Sequence, residues 1–151
     1  MHSCQARCRI ITGERDAGKT TRLLEMVAAC SCPQGFACVK CQDGYLLRNL
    51  SSGEERLFMS SSPVFTGRIG RWFYDENLFR KANSILEKID KGTVFIDEIG
   101  RLELSGGGFA PSLEVLLHKD AELTITVRRS FLQQVMEAFG ISEAEIIEVG
   151  A

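Results

Sequence analysis

Gly13-Glu14-Arg15-Asp16-Ala17-Gly18-Lys19-Thr20 fits the pattern G-x-x-x-x-G-K-[ST], in which a glycine-bounded loop leads into a helix. The two glycines allow the backbone to turn sharply, so that its N–H groups can approach phosphate oxygens. Lys19 adds a positive charge for the β- and γ-phosphates, and the Thr20 hydroxyl is a suitable ligand for Mg²⁺. We therefore predict that residues 13–20, together with Thr21, bind the polyphosphate of a nucleotide.

The residues on either side of this loop fit the same motif. Arg9-Ile10-Ile11-Thr12 predicts a short apolar strand before the loop, and residues 19–29 carry apolar side chains at helical spacing. A strand, a glycine loop and a helix in this order are the context that the motif requires.

A second apolar run, Thr93-Val94-Phe95-Ile96, leads directly into Asp97 and Glu98. Such a run predicts a strand buried on both faces of a parallel sheet, and ligands bind at the carboxyl ends of such strands. We predict that Asp97 holds Mg²⁺ opposite Thr20, and that Glu98 orients or deprotonates a water molecule. The alternative is that this pair merely ends a strand and begins a loop.

The remaining pattern predicts an α/β protein. Strands are predicted at residues 36–41, 45–50, 56–59, 64–66, 71–74, 123–127 and 146–149. Helices are predicted at residues 76–90, 111–118 and 130–139, the last of them capped by Ser130, with a loop at residues 104–110. Strands and helices alternate at both ends of the chain and hairpins lie between them. This order predicts a Rossmann-like P-loop NTPase fold, a three-layer sandwich whose mostly parallel sheet carries an antiparallel hairpin extension.

Length and composition predict one domain over residues 1–151, since domains usually have about 100–150 residues. Hydrophobic residues make up 44% and charged residues 25% of the chain, as in ordinary globular proteins. The net charge of −2 and the lack of a dense Lys/Arg run argue against a nucleic-acid partner. No apolar run approaches the roughly 18 residues of a membrane span, and no signal-peptide core is present, so we expect no membrane partner and a cytoplasmic location. The sequence does not identify a protein partner.

Four of the six cysteines, Cys30, Cys32, Cys38 and Cys41, lie within twelve residues. In the cytoplasm they would be reduced, and four thiolates could form a structural Zn²⁺ site. However, Cys38 and Cys41 would face opposite sides of a regular strand. Ordinary cysteines that behave as small hydrophobic residues are therefore the favoured interpretation, and zinc is the alternative.

Hydrolysis of a triphosphate leaves charge on the γ-phosphoryl oxygens, which an arginine can stabilise. The candidates are Arg71, Arg101, Arg128 and Arg129. We select Arg128 because it ends a predicted strand at the ligand edge of the sheet. The alternative for each is a solvated surface charge. Trp72 and Phe73 could stack on a nucleotide base, although core packing is favoured.

Residues 13–21, Asp97-Glu98-Ile99-Gly100 and Leu102-Glu103-Leu104-Ser105, followed by Phe109, resemble the small cancer-related nucleoside-triphosphatase family. Its members are also described as nucleotide phosphatase/kinase-like proteins. The resemblance implies a Rossmann-like P-loop fold and Mg²⁺-dependent hydrolysis of ATP, GTP and other nucleoside triphosphates with broad base preference.

These predictions converge on a nucleoside triphosphatase with Lys19, Glu98 and Arg128 as its catalytic residues. Two alternatives remain open. One is a nucleotide or small-molecule kinase on the same scaffold. The other is a nucleotide-binding switch or accessory protein with little turnover, which the cysteine cluster would favour.

Overall fold

A computed structural model describes residues 7–150, whose strands form one nine-stranded sheet. The strands are β1 (Arg7–Gly13), β2 (Gln34–Cys41), β3 (Gly44–Asn49), β4 (Glu55–Ser60), β5 (Gly67–Ile69), β6 (Trp72–Tyr74), β7 (Lys91–Ile99), β8 (Asp120–Arg128) and β9 (Glu145–Glu148). The helices are α1 (Lys19–Ala28), α2 (Glu76–Glu87), α3 (Arg101–Leu104), α4 (Ala110–Leu116) and α5 (Leu132–Ala138). The order of the strands across the sheet is β5-β6-β4-β3-β2-β7-β8-β1-β9.

Five neighbouring strands, β2, β7, β8, β1 and β9, pair in parallel. Strand β8 lies between β1 and β7, so the carboxyl ends of these three strands meet at one edge of the sheet. The loop of residues 13–20, the Asp97-Glu98 pair and Arg128 therefore lie at this same edge. In parallel sheets this is the edge at which ligands bind.

Helices cover both faces of the sheet, as the predicted three-layer sandwich requires. Side chains alternate along the central strands: Ile11 and Phe95 pack against Leu23 of α1, whereas their neighbours Ile10 and Ile96 belong to the opposite core. Helices α2, α4 and α5 contribute to that second, larger core. The α/β prediction is thus confirmed.

Four antiparallel strands extend the sheet beyond β2, in the order β3, β4, β6 and β5. This confirms the predicted hairpin extension, but the strand predicted at residues 64–66 is wrong. Val64 is 60% exposed, and the strand begins only at Gly67. A Cβ atom at Gly67 would come within 2.5 Å of the Tyr74 ring, so the strand can pair with β6 only because glycine starts it.

The predicted cap of the last helix is also wrong. A single 3₁₀ turn, Arg129–Phe131, follows β8, and helix α5 begins only at Leu132. Ser130 therefore lies inside that turn, and no side chain caps α5. No helix within residues 7–150 is long and apolar enough to cross a membrane.

The four clustered cysteines do not come together. Cys30 packs against the core beneath α1, whereas Cys38 packs against the core on the other face of the sheet. Nowhere in residues 7–150 do three or more His, Cys, Asp or Glu side chains form a group that could hold a metal ion. The alternative interpretation, a zinc site of Cys30, Cys32, Cys38 and Cys41, therefore has no support in this arrangement. Cys4 lies outside the described residues, and the five others are free thiols: Cys8, Cys30, Cys32, Cys38 and Cys41.

Candidate active site

The glycine-bounded loop joins β1 to α1 in a conformation that depends on its two fixed glycines. Gly18 has a φ of 100°, in the left-handed region that glycine tolerates without cost. A Cβ atom at Gly13 would lie 2.8 Å from the Val149 carbonyl oxygen, so only glycine fits beside the chain that follows β9. No side chain caps the first turn of α1, and its N–H groups remain available to an anion.

Lys19 reaches back over this loop. Its side chain is buried, and its Nζ donates to the carbonyl oxygens of Glu14 at 2.8 Å and Gly13 at 3.4 Å. These contacts fix the ammonium group within the loop, where it can neutralise phosphate charge. The side chain of Glu14, at the same end of the loop, forms an exposed ion pair with Arg129 at 3.2 Å.

Asp97 is fully buried and connects three parts of the site. Its Oδ2 accepts hydrogen bonds from the Thr20 hydroxyl at 2.8 Å and the Cys38 N–H at 3.1 Å, and its Oδ1 accepts one from the Thr126 hydroxyl at 2.6 Å. Burial raises the pKa of the Asp97 carboxyl, while these hydrogen bonds and the charge of Lys19 oppose the shift. Three donors around two oxygens are the surroundings that suit an ionised carboxylate.

Thr20 and Asp97 together fit Mg²⁺. Hydroxyl and carboxylate oxygens are the hard ligands that Mg²⁺ prefers, and Mg²⁺ commonly uses one or two protein ligands beside water and substrate phosphates. The two oxygens lie 2.8 Å apart, at the start of α1 and near the end of β7. This pairing brings together the residues that the motifs had predicted to hold the metal.

Glu98 follows directly, but its side chain opens into the cavity above the sheet. The side chain is exposed to this cavity, but the protein around it reduces its hydration, and this desolvation raises the pKa of the Glu98 carboxyl. The charge of Asp97 raises the pKa further, while Lys19, Arg128 and Arg15 lower it. A carboxylate with a raised pKa is a better proton acceptor, as water activation requires.

The cavity has a volume of about 770 Å³. The residues predicted for nucleotide binding and catalysis that line it are Arg15, Asp16, Gly18, Lys19, Thr20, Thr21, Glu98 and Arg128. Arg71, Arg101 and Trp72 line it as well, whereas Arg129 does not and pairs with Glu14 instead. The P-loop and Glu98 therefore border one space, and Asp97 lies buried behind it, hydrogen-bonded to Thr20.

Arg128 enters this space from the end of β8. Its guanidinium lies 5.7 Å from the centre of the Phe131 ring. Its buried Nε has no hydrogen-bond partner within residues 7–150. A buried donor without a partner favours an anion beside it.

Glu103 is a site residue to which the sequence patterns assigned no role. Its carboxylate is buried and accepts hydrogen bonds from the Gly100 N–H at 2.8 Å and the Phe109 N–H at 3.0 Å. Burial raises its pKa to about 7, although the backbone hydrogen bonds oppose the shift. These two hydrogen bonds hold together the two ends of the backbone segment from Gly100 to Phe109, which follows Glu98. In the sequence, the signal for Glu103 is its position within Leu102-Glu103-Leu104-Ser105, one of the stretches that carry the family resemblance.

Thr126 was also missed as a site residue. It lies within an otherwise apolar strand, and its hydroxyl orients Asp97. A buried polar residue in such a strand requires a partner, and this was the signal in the sequence.

Comparison with known proteins places this site in context. The nucleoside-triphosphatase THEP1 of Thermotoga petrophila is 23% identical over 152 residues, covering 92% of this chain and 83% of that relative. The crystal structure of THEP1 from the hyperthermophile Aquifex aeolicus superposes with a TM-score of 0.78 at 24% identity, covering 94% of this chain and 89% of that one. The model of the NTPase family matches residues 8–150. Because that match spans almost the whole chain, the protein belongs to the NTPase family and is a P-loop nucleoside triphosphatase.

Proposed function

We propose that the protein hydrolyses ATP, GTP and other nucleoside triphosphates to the diphosphate and phosphate, and that it requires Mg²⁺. One observation carries this proposal. The hydroxyl of Thr20, next to Lys19, is hydrogen-bonded to Asp97 at 2.8 Å, and Glu98 opens into the cavity that the loop lines. A phosphate cradle, a pair of metal ligands and a proton acceptor are thereby adjacent.

The loop would hold the polyphosphate through the free N–H groups of α1 and the ammonium group of Lys19. Thr20 and Asp97 would hold Mg²⁺, which when bound supplies positive charge to the phosphate oxygens. Because these contacts go to phosphates, we expect a broad base preference.

Glu98 would accept a proton from a water molecule as the water oxygen attacks the γ-phosphorus. The bond from the γ-phosphorus to the bridging oxygen breaks, and the diphosphate leaves with the electron pair. Arg128, whose buried Nε has no partner within residues 7–150, would donate to the oxygens on which charge accumulates.

The alternative of a switch with little turnover depended on a cluster of four cysteines. Within residues 7–150 the structure forms no such cluster, so no observation favours that function. A kinase, the other alternative, would differ from a hydrolase because it needs an acceptor molecule for the phosphoryl group.

The test is phosphate release from ATP, GTP, CTP and UTP, each with Mg²⁺ and no added acceptor. We expect phosphate from all four nucleotides at similar rates, and none when Mg²⁺ is removed with a chelator. Formation of the diphosphate only when an acceptor is added, with the phosphoryl group on that acceptor and no free phosphate, would contradict hydrolysis and favour a kinase.

A further inference from the structure

The cavity extends well beyond the phosphate loop, over the antiparallel part of the sheet. Its wall there consists of Tyr45 from β3, Met59 from β4 and Trp72 from β6. The Tyr45 and Trp72 rings are in edge contact, with centroids 5.4 Å apart, and the Arg71 guanidinium lies 4.7 Å from the centre of the Trp72 ring. We call the space bounded by these four residues and Arg101 the aromatic chamber.

The chamber and the phosphate loop belong to one cavity, because Tyr45, Glu98 and Lys19 all line it. Arg101, which bounds the chamber, follows Glu98 by three residues. Glu98 is the residue assigned to the γ-phosphate. An occupant of the chamber would therefore face the terminal phosphate of a triphosphate held by the loop.

The entrance of the chamber is positively charged. Arg71 lies in the turn between β5 and β6, and that turn contacts α3: a Cβ atom at Gly70 would lie 3.5 Å from Arg101 Nη1. Both arginines are exposed, and neither forms an ion pair in the part of the chain from residue 7 to 150. Lys40 adds a third cation to the lining.

These features indicate which kind of ligand the chamber can bind. Aromatic faces beside an arginine bind planar rings, and paired guanidinium groups suit phosphate because they can donate to two of its oxygens. The roles already assigned to Lys19 and Arg128 leave Arg71 and Arg101 free to bind a further anion. The whole cavity, which includes both the chamber and the space beside the phosphate loop, has a volume of about 770 Å³, within the usual range for sites that bind small organic molecules.

We propose that the aromatic chamber binds a second ligand, a nucleoside monophosphate, with its base against Tyr45 and Trp72 and its phosphate at Arg71 and Arg101. The inference rests on the proposed function, because it places this ligand beside a triphosphate held by the loop.

Trp72 provides the measurement, because it is the only tryptophan of the chain. The protein is first saturated with Mg²⁺ and a non-hydrolysable ATP analogue, and AMP or GMP is then titrated while tryptophan fluorescence is recorded. We expect a saturable change with both monophosphates. Adenosine, which lacks the phosphate, and ribose 5-phosphate, which lacks the base, should both bind more weakly.

Two variants of one hairpin provide a matched comparison by calorimetry. Arg71→Gln should weaken AMP binding about tenfold, the effect expected when a charge-assisted hydrogen bond is lost. Arg68→Gln should leave it unchanged: Arg68 also lies over an aromatic ring, Phe73 at 5.1 Å, but it does not line the cavity.

Three results would overturn the inference. If the analogue binds but AMP and GMP do not, the chamber has no such ligand and the proposed function is unaffected. If AMP binds only when the analogue is absent, it occupies the phosphate loop and the chamber holds the base of the substrate itself. If the analogue does not bind, the proposed function fails, and this inference fails with it.

Discussion

Two adjacent carboxylates in this site have different surroundings. Asp97 is fully buried and held by donors from α1, β2 and β8, whereas Glu98 opens into the cavity. The fixed carboxylate suits a metal, which requires a defined position. The accessible one suits a proton acceptor, which must meet water.

Glu98→Gln removes the proton acceptor while keeping the size of the side chain. We expect kcat for ATP hydrolysis to fall about a hundredfold or more, the usual contribution of a general base. Binding of a non-hydrolysable ATP analogue, measured by calorimetry, should persist because the phosphate loop is unchanged.

Glu122→Gln is the matched control for this substitution. Glu122 is exposed near the amino end of β8, away from the ligand edge, so kcat should not change. A Glu98→Gln variant that keeps the wild-type kcat would remove Glu98 from the chemistry.

The residues that could be predicted are those that a local motif carries. Lys19, Thr20, Asp97 and Glu98 each belong to a short pattern whose spacing indicates its chemistry. Thr126 and the Cys38 N–H could not be found in this way. They contact Asp97 only because β8 and β2 both flank β7, and that pairing is not encoded near either residue.

At the scale of elements, Glu103 connects α3 to the start of α4. It accepts hydrogen bonds from the backbone on both sides of that connection, at Gly100 and Phe109. Phe109 in turn packs against Phe36 and Phe79, with ring centroids 6.1 Å and 5.1 Å away. The segment after Glu98 is thereby fixed to the core.

The raised pKa of Glu103 makes stability depend on pH in a defined direction. Its pKa is about 7 in the folded protein against an ordinary value of 4.5, so the folded state binds the proton more tightly than the unfolded chain. The stability that this group contributes is therefore complete below pH 4.5 and is lost as the pH rises through 7. Glu103→Gln removes this dependence.

Urea denaturation at a series of pH values tests this prediction. The free energy of unfolding of the wild type, minus that of Glu103→Gln, should fall by on the order of 3 kcal/mol as the pH rises through this interval. Glu114 is an exposed residue of α4 and serves as the control. The free energy of unfolding of the wild type, minus that of Glu114→Gln, should not change with pH. A difference that is independent of pH for Glu103→Gln as well would contradict the assignment.

Elements with a strong periodic pattern could be predicted, and those that depend on tertiary contacts could not. Helix α2 starts at the predicted residue 76 and ends at Glu87, three residues before the predicted end, and strand β7 contains the predicted apolar run. The strand at Gly67–Ile69 was missed because it depends on a close contact between Gly67 and Tyr74, and β-propensity favoured Val64 instead. Serine often caps helices, but Ser130 lies within a 3₁₀ turn that precedes α5.

At the scale of the whole molecule, strand order builds the site. The loop after β1 and the carboxylates of β7 are far apart in sequence, and the insertion of β8 between the two strands brings them to one edge with Arg128 between them. The α/β class followed from the alternation of strands and helices. The cavity wall formed by the antiparallel extension could not be predicted from this alternation, because it depends on how β3, β4 and β6 are placed beside β2.

The most direct test of the central claim is calorimetric titration of wild type and Lys19→Ala with a non-hydrolysable ATP analogue. The phosphate loop, together with Thr20 and Asp97, should give saturable binding to the wild type when Mg²⁺ is present and weaker binding after chelation. Lys19→Ala should bind at least about tenfold more weakly, because the charge in the loop is lost. No saturable heat from any triphosphate with Mg²⁺, or equal affinity of the two proteins, would contradict the account.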